Sequence, residues 1–283
     1  MFKRISIYYL LAATVVFALH EEQSAPARML GMGGVVVATG NGAEAVPFNP
    51  AIAADIERYS LTGTYSSRWS LEGFSEYSAG FAFPFDFGNF AANWHERSVA
   101  DIYGERTMGI TFARSIIENL DGGISAKLLM TSATGAETWA DPAYDGARYS
   151  VAFDIGLLWK SHRNWCIGLS GRNLNEPEMK LLSTSEKGDP AGRQLALGAA
   201  WEVAPDFVLA GDLVSEEGSI DKWQPRLGME IIFFKTLSVR AGARGERLGL
   251  GAGIKAKHWA FDAALANHRW LGNIYRFTLT LEY

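Results

Sequence analysis

Cysteine is nearly absent. Cys166 is the only one in 283 residues, which excludes a disulfide framework and any cysteine-rich metal site. Neither sign of charge dominates: 26 Lys+Arg stand against 31 Asp+Glu, a formal net charge of −5, without the basic excess of a nucleic-acid partner. Charged residues make up only 20% and hydrophobic ones 48%, so the chain is not of the disordered class. Past residue 27 no apolar run approaches the roughly 20 residues of a membrane-spanning helix; Ile231-Ile232-Phe233-Phe234 is the most concentrated stretch. What the chain does have is glycine, 30 residues against an average usage of roughly 7%, spread without a collagen period. Aromatics reach 12%, with nine Trp. The composition fits a β-rich protein with tight turns and amphipathic surfaces.

The first 27 residues read as a secretory signal. Lys3 and Arg4 form the positive end, Ile5 to Leu19 the apolar stretch, and Ala25-Pro26-Ala27 a small-residue end. An N-terminal anchor helix is the alternative reading. An exported chain without a later spanning helix is either soluble or a membrane barrel.

Alternation favours the barrel. At the C-terminus Leu271, Asn273, Tyr275, Phe277, Leu279, Leu281 and Tyr283 share one face, and Gly272, Ile274, Arg276, Thr278, Thr280 and Glu282 the other. Tyr149 to Trp159 and Leu195 to Val203 repeat the pattern. A period of two suits a strand between lipid and a wet lumen, whereas a helix would repeat every three or four residues. Fourteen such segments are predicted near 59–69, 76–85, 87–98, 105–115, 120–132, 147–160, 163–173, 192–203, 206–214, 222–234, 236–245, 247–256, 258–267 and 270–283. Long polar links (70–75, 99–104, 133–146, 174–191, 215–221) alternate with short ones, as in an up-and-down transmembrane antiparallel barrel with short periplasmic turns. Both mature termini are then expected on the periplasmic side of a bacterial outer membrane, with membrane lipids and the barrel-assembly machinery as partners. Pro84, Pro205 and Pro225 are the places where a strand ladder could be interrupted.

Tryptophans mark the segment ends. Trp159, Trp165, Trp201 and Trp259 lie near short turns, and Trp69, Trp223 and Trp270 at the opposite ends, as two aromatic girdles would require. Phe277, Leu279, Leu281 and the final Tyr283 resemble the C-terminal assembly signal of bacterial outer-membrane barrels.

Residues 28–58 are rich in glycine and too short to fold alone, so their apolar side chains need a host surface. The barrel lumen is the nearest, and a plug is expected there. Gly31, Gly33 and Gly34 would allow close approach to the wall, and Asn49, Pro50 and Ala51 follow downstream. This stretch resembles the N-terminal hatch of FadL-like barrels and, more closely, that of the PorV/PorQ family, which begins with Ala-Arg-x-Leu-Gly-Met-Gly-Gly and carries a later Asn-Pro-Ala. Gly109 to Arg114, Gly123 to Lys127, Phe153 to Leu158, Ala210 to Leu213, Arg226 to Glu230 and Gly249 to Gly253 continue the likeness. The resemblance implies a plugged barrel of about fourteen strands and a secretion-associated, type IX-like scaffold for exported cargo proteins. A FadL-like channel for hydrophobic small molecules is the alternative it implies. The chain is short for either, so elaborate outer loops are not expected.

Charged residues fall on predicted lumen faces: Lys127, Asp154, Arg172, Asp212, Arg226, Glu230, Arg240, Arg244, Asp262 and Arg276. Buried charges need partners, and Asp212, Arg226, Glu230 and Arg240, on consecutive strands, are the candidate network. Gly249, Gly251 and Gly253 leave a face without side chains, room for the plug. Catalytic signatures are missing. Gly168-Leu169-Ser170-Gly171-Arg172 lacks the last glycine of a nucleophile elbow, and the histidines lack zinc-helix spacing. No metal, cofactor or enzymatic activity is expected, and no nucleic-acid partner.

Overall fold

Period-two segments with one apolar and one polar face cannot bury both in water, and closing them into a ring between lipid and lumen satisfies both faces as well as every strand edge. In the computed structural model, which describes residues 25–283 apart from 70–72, 100–101, 134–142, 145, 186 and 269–271, that is the arrangement. The wall comprises β1 Ser60–Arg68, β2 Phe74–Phe83, β3 Asn89–Val99, β4 Tyr103–Ile117, β5 Leu120–Ala133, β6 Arg148–Lys160 and β7 Trp165–Arg172. It continues through β10 Gln194–Ala204, β11 Phe207–Glu216, β12 Ser219–Phe233, β13 Leu237–Arg244, β14 Arg247–Lys255, β15 Trp259–His268 and β16 Gly272–Glu282. Two-residue strands β8 Glu178–Met179 and β9 Asp189–Pro190 form a separate hairpin. The fourteen wall strands run antiparallel, each beside its sequence neighbour in the ring, and β1 closes on β16 with Leu61 opposite Leu281. Residues 1–24 of the expected signal lie outside the described residues, whereas its last three, Ala25-Pro26-Ala27, are described and belong with the plug, with Ala25 and Ala27 buried.

The alternation sorts the side chains. Ile110, Leu227, Leu250 and Phe277 point outward, with Ile110 at 67% and Leu227 at 65% exposure. Thr111, Arg226, Gly251 and Arg276, their chain neighbours, face the lumen and are buried or half-buried. Such a continuous apolar exterior is stable only against acyl chains. Tyr283 N–H donates to the Tyr59 carbonyl at 2.9 Å, so both ends of the barrel chain meet at one rim, here the near end. Turns at that end are short.

Two expectations about the far end need correction. The link expected at 215–221 is only residues 217–218, because Ser219 to Lys222 extend as the start of β12 and Gly218 (φ +70°) takes the tight turn. The 174–191 link is long, but it folds inward through the β8–β9 hairpin: Met179 and Ala191 are buried against Leu129 and Ala152. Proline breaks no ladder. Pro84 and Pro205 lie in near-end turns, and Pro225 sits inside β12 opposite Leu213 of β11, one residue before the β12–β13 ladder begins at Arg226.

At the near end Trp165 and Trp201 stand directly opposite each other, rings parallel to 1° with centroids 5.2 Å apart. Trp159 and Trp259 are exposed at the same level, and Trp223 toward the far end. Trp69 follows β1 with φ +57°; Trp270 lies outside the described residues. Phe277 and Leu279 of the C-terminal strand face outward, Leu281 is half-buried, and Tyr283 is exposed.

Candidate functional site: the plug and the lumen

Residues 25–58 lie inside the ring. A short helix α1, Ala27–Gly31, packs against β13 to β16, and a 3-10 turn, Pro50–Asp55, against β3 to β6. Apolar plug side chains supply its core: Met29, Met32, Val35, Val36, Val46 and Ile52 are at most 2% exposed. The plug meets the wall backbone to backbone, and glycines on both sides permit this. Gly33 (φ +71°) and Gly34 (φ +88°) turn the chain back after α1. Gly31 lies so close to Gly251 that a Cβ on it would come 2.9 Å from the Gly251 Cα. The face without side chains on β14 is thus the seat of α1. Gly249 takes the Leu30 carbonyl, while Gly253 makes room for the Arg240 guanidinium.

Asn49-Pro50-Ala51 is a second key. Asn49 is fully buried and caps the 3-10 turn, its Oδ1 accepting from Ala51 N at 3.1 Å, with proline favourably at the first position. Its Nδ2 donates to the Val37 carbonyl at 2.8 Å and the Leu157 carbonyl of β6 at 3.2 Å. Gly123 of β5 and Gly156 of β6 admit this turn.

The four lumen charges divide into two groups. Glu230 accepts from Arg240 Nε at 2.5 Å and from Arg28 of α1 at 2.6 Å. Arg240 also pairs with Asp262, reaching across β14 over Gly253. Arg28, Glu230, Arg240 and Asp262 form a neutral chain from the plug to three strands. Burial works against the Arg28 charge, but the carboxylates around it, Glu230 first and then Glu44 and Asp262, together outweigh burial and hold the guanidinium above its ordinary pKa. Asp212 instead receives plug amides, from Val36 N at 2.7 Å and Val37 N at 3.0 Å. Arg226, opposite it in register, donates to the Gly34 carbonyl at 3.1 Å. Further ties run from Ser170 to the Phe48 carbonyl and from Asn89 to the carbonyls of Ala53 and Ile56, and Ala27 N–H donates to the Thr278 hydroxyl.

Beyond the plug, toward the far end, the lumen is charged and paired. Glu76, 0% exposed, is held by Arg68 and Arg97, each at 2.8 Å, and Arg97 reaches Glu105 at 3.1 Å. Lys127 pairs with Asp154 at 2.8 Å and donates to Asn173 at 2.6 Å. Arg172 lies over the Phe48 ring, 5.4 Å from its centroid, and Arg276 donates to the Ala25 carbonyl. Arg28, Glu76, Arg97 and Glu105 were not among the expected lumen charges. Glu76 and Glu105 do fall on the face alternate to outward Tyr77 and Met108, which is the signal that finds them, and Arg97 of β3 stands opposite Glu76 in register. Cys166 is half-buried and packs beside Leu158 and Ala200.

Between the plug and the near half of β1 to β3 lies a cavity of about 20 Å³, room for a water molecule and not for an organic solute. Glu44, Phe48, Thr62, Asn93 and His95 are among its lining. Glu44 is half-buried with an enclosed Oε2 that has no hydrogen-bond partner, as has His95 Nε2. Burial pushes the Glu44 carboxyl up to about 7, against the pull of a backbone hydrogen bond and of Arg28.

Comparison with known proteins places the architecture. Residues 107–217 match the family model described as F plasmid transfer operon, TraF, protein, a span from β4 to the turn after β11. No curated protein sequence matches the chain. Among solved structures, the toluene transporter TodX of P. putida superposes with TM-score 0.65 at 12% identity, covering 92% of this chain and 99% of its own. The toluene transporter TbuX of Ralstonia pickettii gives TM-score 0.65 at 12% identity, covering 95% and 98%. A Pseudomonas aeruginosa FadL homologue gives 0.58 at 12%, covering 92% and 98%. At these identities the likeness is one of fold, that of FadL-type outer-membrane barrels.

Proposed function

We propose that this protein is a non-enzymatic channel of a bacterial outer membrane that admits small hydrophobic molecules past a movable plug. The observation that carries the reading is the likeness in fold to toluene transporters over nearly the whole of both chains, together with a lumen whose near half is stoppered by the chain's own N-terminal segment. The plug is held by side-chain ties to the wall rather than by covalent links, so it can yield without unfolding the barrel.

The secretion scaffold implied by the PorV/PorQ resemblance ranks second, and the structural neighbours do not support it. A scaffold for exported proteins also needs an outer docking surface. Two of the far-end links are only two residues long, 217–218 and 245–246, and the 173–193 link folds partly inward.

Uptake tests the proposal. Cells bearing the protein should accumulate labelled toluene several-fold faster at low external concentration than cells lacking it. Equal rates, with the protein present in the outer-membrane fraction, would overturn the channel reading and return the scaffold to first place.

A further inference from the structure

The plug is not seated equally around its perimeter. Against β5, β6, β7, β10 and β12 to β14 its backbone lies on wall glycines so closely that a Cβ at Gly123, Gly168 or Gly242 would overlap plug main chain. Against β2, β3 and β4 Ala43 and Val46 meet the short side chains of Ala82, Ala91 and Ala113, and the Ala43 carbonyl approaches Gly80 of β2 less closely, 3.0 Å from where a Cβ would stand. Small side chains give up little apolar surface and few dispersion contacts when they part. The cavity opens on this same face, and two polar atoms, Glu44 Oε2 and His95 Nε2, line it without hydrogen-bond partners. His95 is only 7% exposed. Polar atoms enclosed without partners are costly when dry, and the cavity has room for about one water molecule beside them.

We propose that small molecules pass the plug along the seam between residues 43–48 and the lumen face of β1 to β3, and that Glu44 is the titratable latch of that seam. This rests on the channel reading for its substrate and on the seam's own geometry for its location. The surroundings of Glu44 set the sign. A hydrogen bond from its own backbone amide and then Arg28 of α1 favour its charge, while Asp262 of β15 and Glu282 of β16 oppose it. His95 of β3 faces it across the cavity, and β1 and β2 present only uncharged Thr62 and Ser78. Burial outweighs Arg28, so the docked plug favours the neutral carboxyl with its pKa at about 7, above the ordinary 4.5. Undocked into water, Glu44 ionises near the ordinary value. The docked state therefore binds more protons between those limits, and docking weakens as pH rises through the window, with no further change above it. Gly42 (φ +85°), two residues before Glu44, is the turn about which the segment can swing.

The test uses the full-length protein in planar bilayers, reading ion conductance at about pH 4.5 and about pH 8. Conductance of the unaltered protein should rise roughly tenfold or more between the two. Glu44→Gln, neutral at both, should abolish the step and stay at the low-pH level. Ser78→Trp, which fills the seam, should hold conductance low at both pH values, and Asn93→Phe serves if that variant fails to give a heat-modifiable barrel. The proposal is overturned by an unchanged pH step in Glu44→Gln, by full conductance in a folded seam-filling variant, or by no conductance at either pH. Toluene uptake measured in parallel separates the two readings. A stepped and seam-blocked conductance without toluene uptake rejects the hydrocarbon substrate and keeps the latch; uptake indifferent to both variants rejects the seam alone.

Discussion

Gly242→Val should leave a folded barrel with an unseated plug. Gly242 sits on β13 facing the lumen, and a Cβ there would overlap the carbonyl carbon and oxygen of Met32 and the amide nitrogen of Gly33. The plug cannot retreat by a small shift, because Met32 is itself 0% exposed and its carbonyl also lies against Gly228 on β12. Overpacking a close-packed site costs about 1–3 kcal/mol and at times more. An overlap with main chain rather than with a flexible side-chain end belongs at the upper limit. The outward face and the ladders of β13 with β12 and β14 are untouched, so heat-modifiable migration should survive. Trypsin should cut after Arg28, which is 11% exposed in its side chain when docked. Gly63→Val is the matched control: Gly63 faces outward on β1 with nothing within 4 Å of the added atom, and protection should be unchanged. Equal trypsin resistance in Gly242→Val would show that the plug does not rest against β13.

Glu230→Ala should release the plug by a different route. Glu230 accepts from Arg28 and Arg240 at once, with side-chain exposures of 5% for Glu230 and 5% for Arg240. Removing one partner from a buried charge pair typically costs about 3–5 kcal/mol, since the remaining charge stays desolvated. Arg240 keeps Asp262, and Arg28 keeps the Thr39 carbonyl at 2.8 Å, so the low side of that range applies. The urea concentration that exposes residues 25–58 to protease should fall well below that of the unaltered protein, with Glu230→Gln intermediate. Glu96→Ala breaks an exposed pair with Arg106, whose side chains are 24% and 43% exposed. Pairs of that kind are worth at most about 1 kcal/mol, and no measurable release is expected. A midpoint shift in Glu96→Ala as large as that in Glu230→Ala would contradict the anchoring role.

The wall was legible in the sequence because each strand carries its own instruction. In β6, Tyr149, Val151, Phe153 and Ile155 alternate with Ala152, Asp154 and Gly156, and the faces follow without reference to any other strand. Glycine placement was legible too: Gly249, Gly251 and Gly253 announce an open face, and α1 occupies it at Gly249 and Gly251 while the Arg240 guanidinium takes the space at Gly253. The pairing of the lumen charges was not. Asp212 and Arg226 are neighbours in register and invite an ion pair, yet the Asp212 carboxylate is spent on amides of Val36 and Val37, separated from it by 176 and 175 positions. Arg240 finds Asp262 two strands away because the intervening Gly253 has no side chain to block it. Such choices depend on how the plug lies in the lumen, which no local pattern records. The inward β8–β9 hairpin escaped for a related reason: strands of two residues show no period, and a polar link such as 174–191 reads as a solvated loop whether or not it folds back.

This chain closes a ring of strands around residues 25–58. Single-channel conductance of a chain lacking residues 28–58, set beside the full chain in the same bilayer, tests it most directly. The expected result is a large, stable, pH-independent conductance for the shortened chain and small, intermittent openings for the full one. Equal conductance from the two, with both running as heat-modifiable barrels, would mean that the segment does not occupy the lumen.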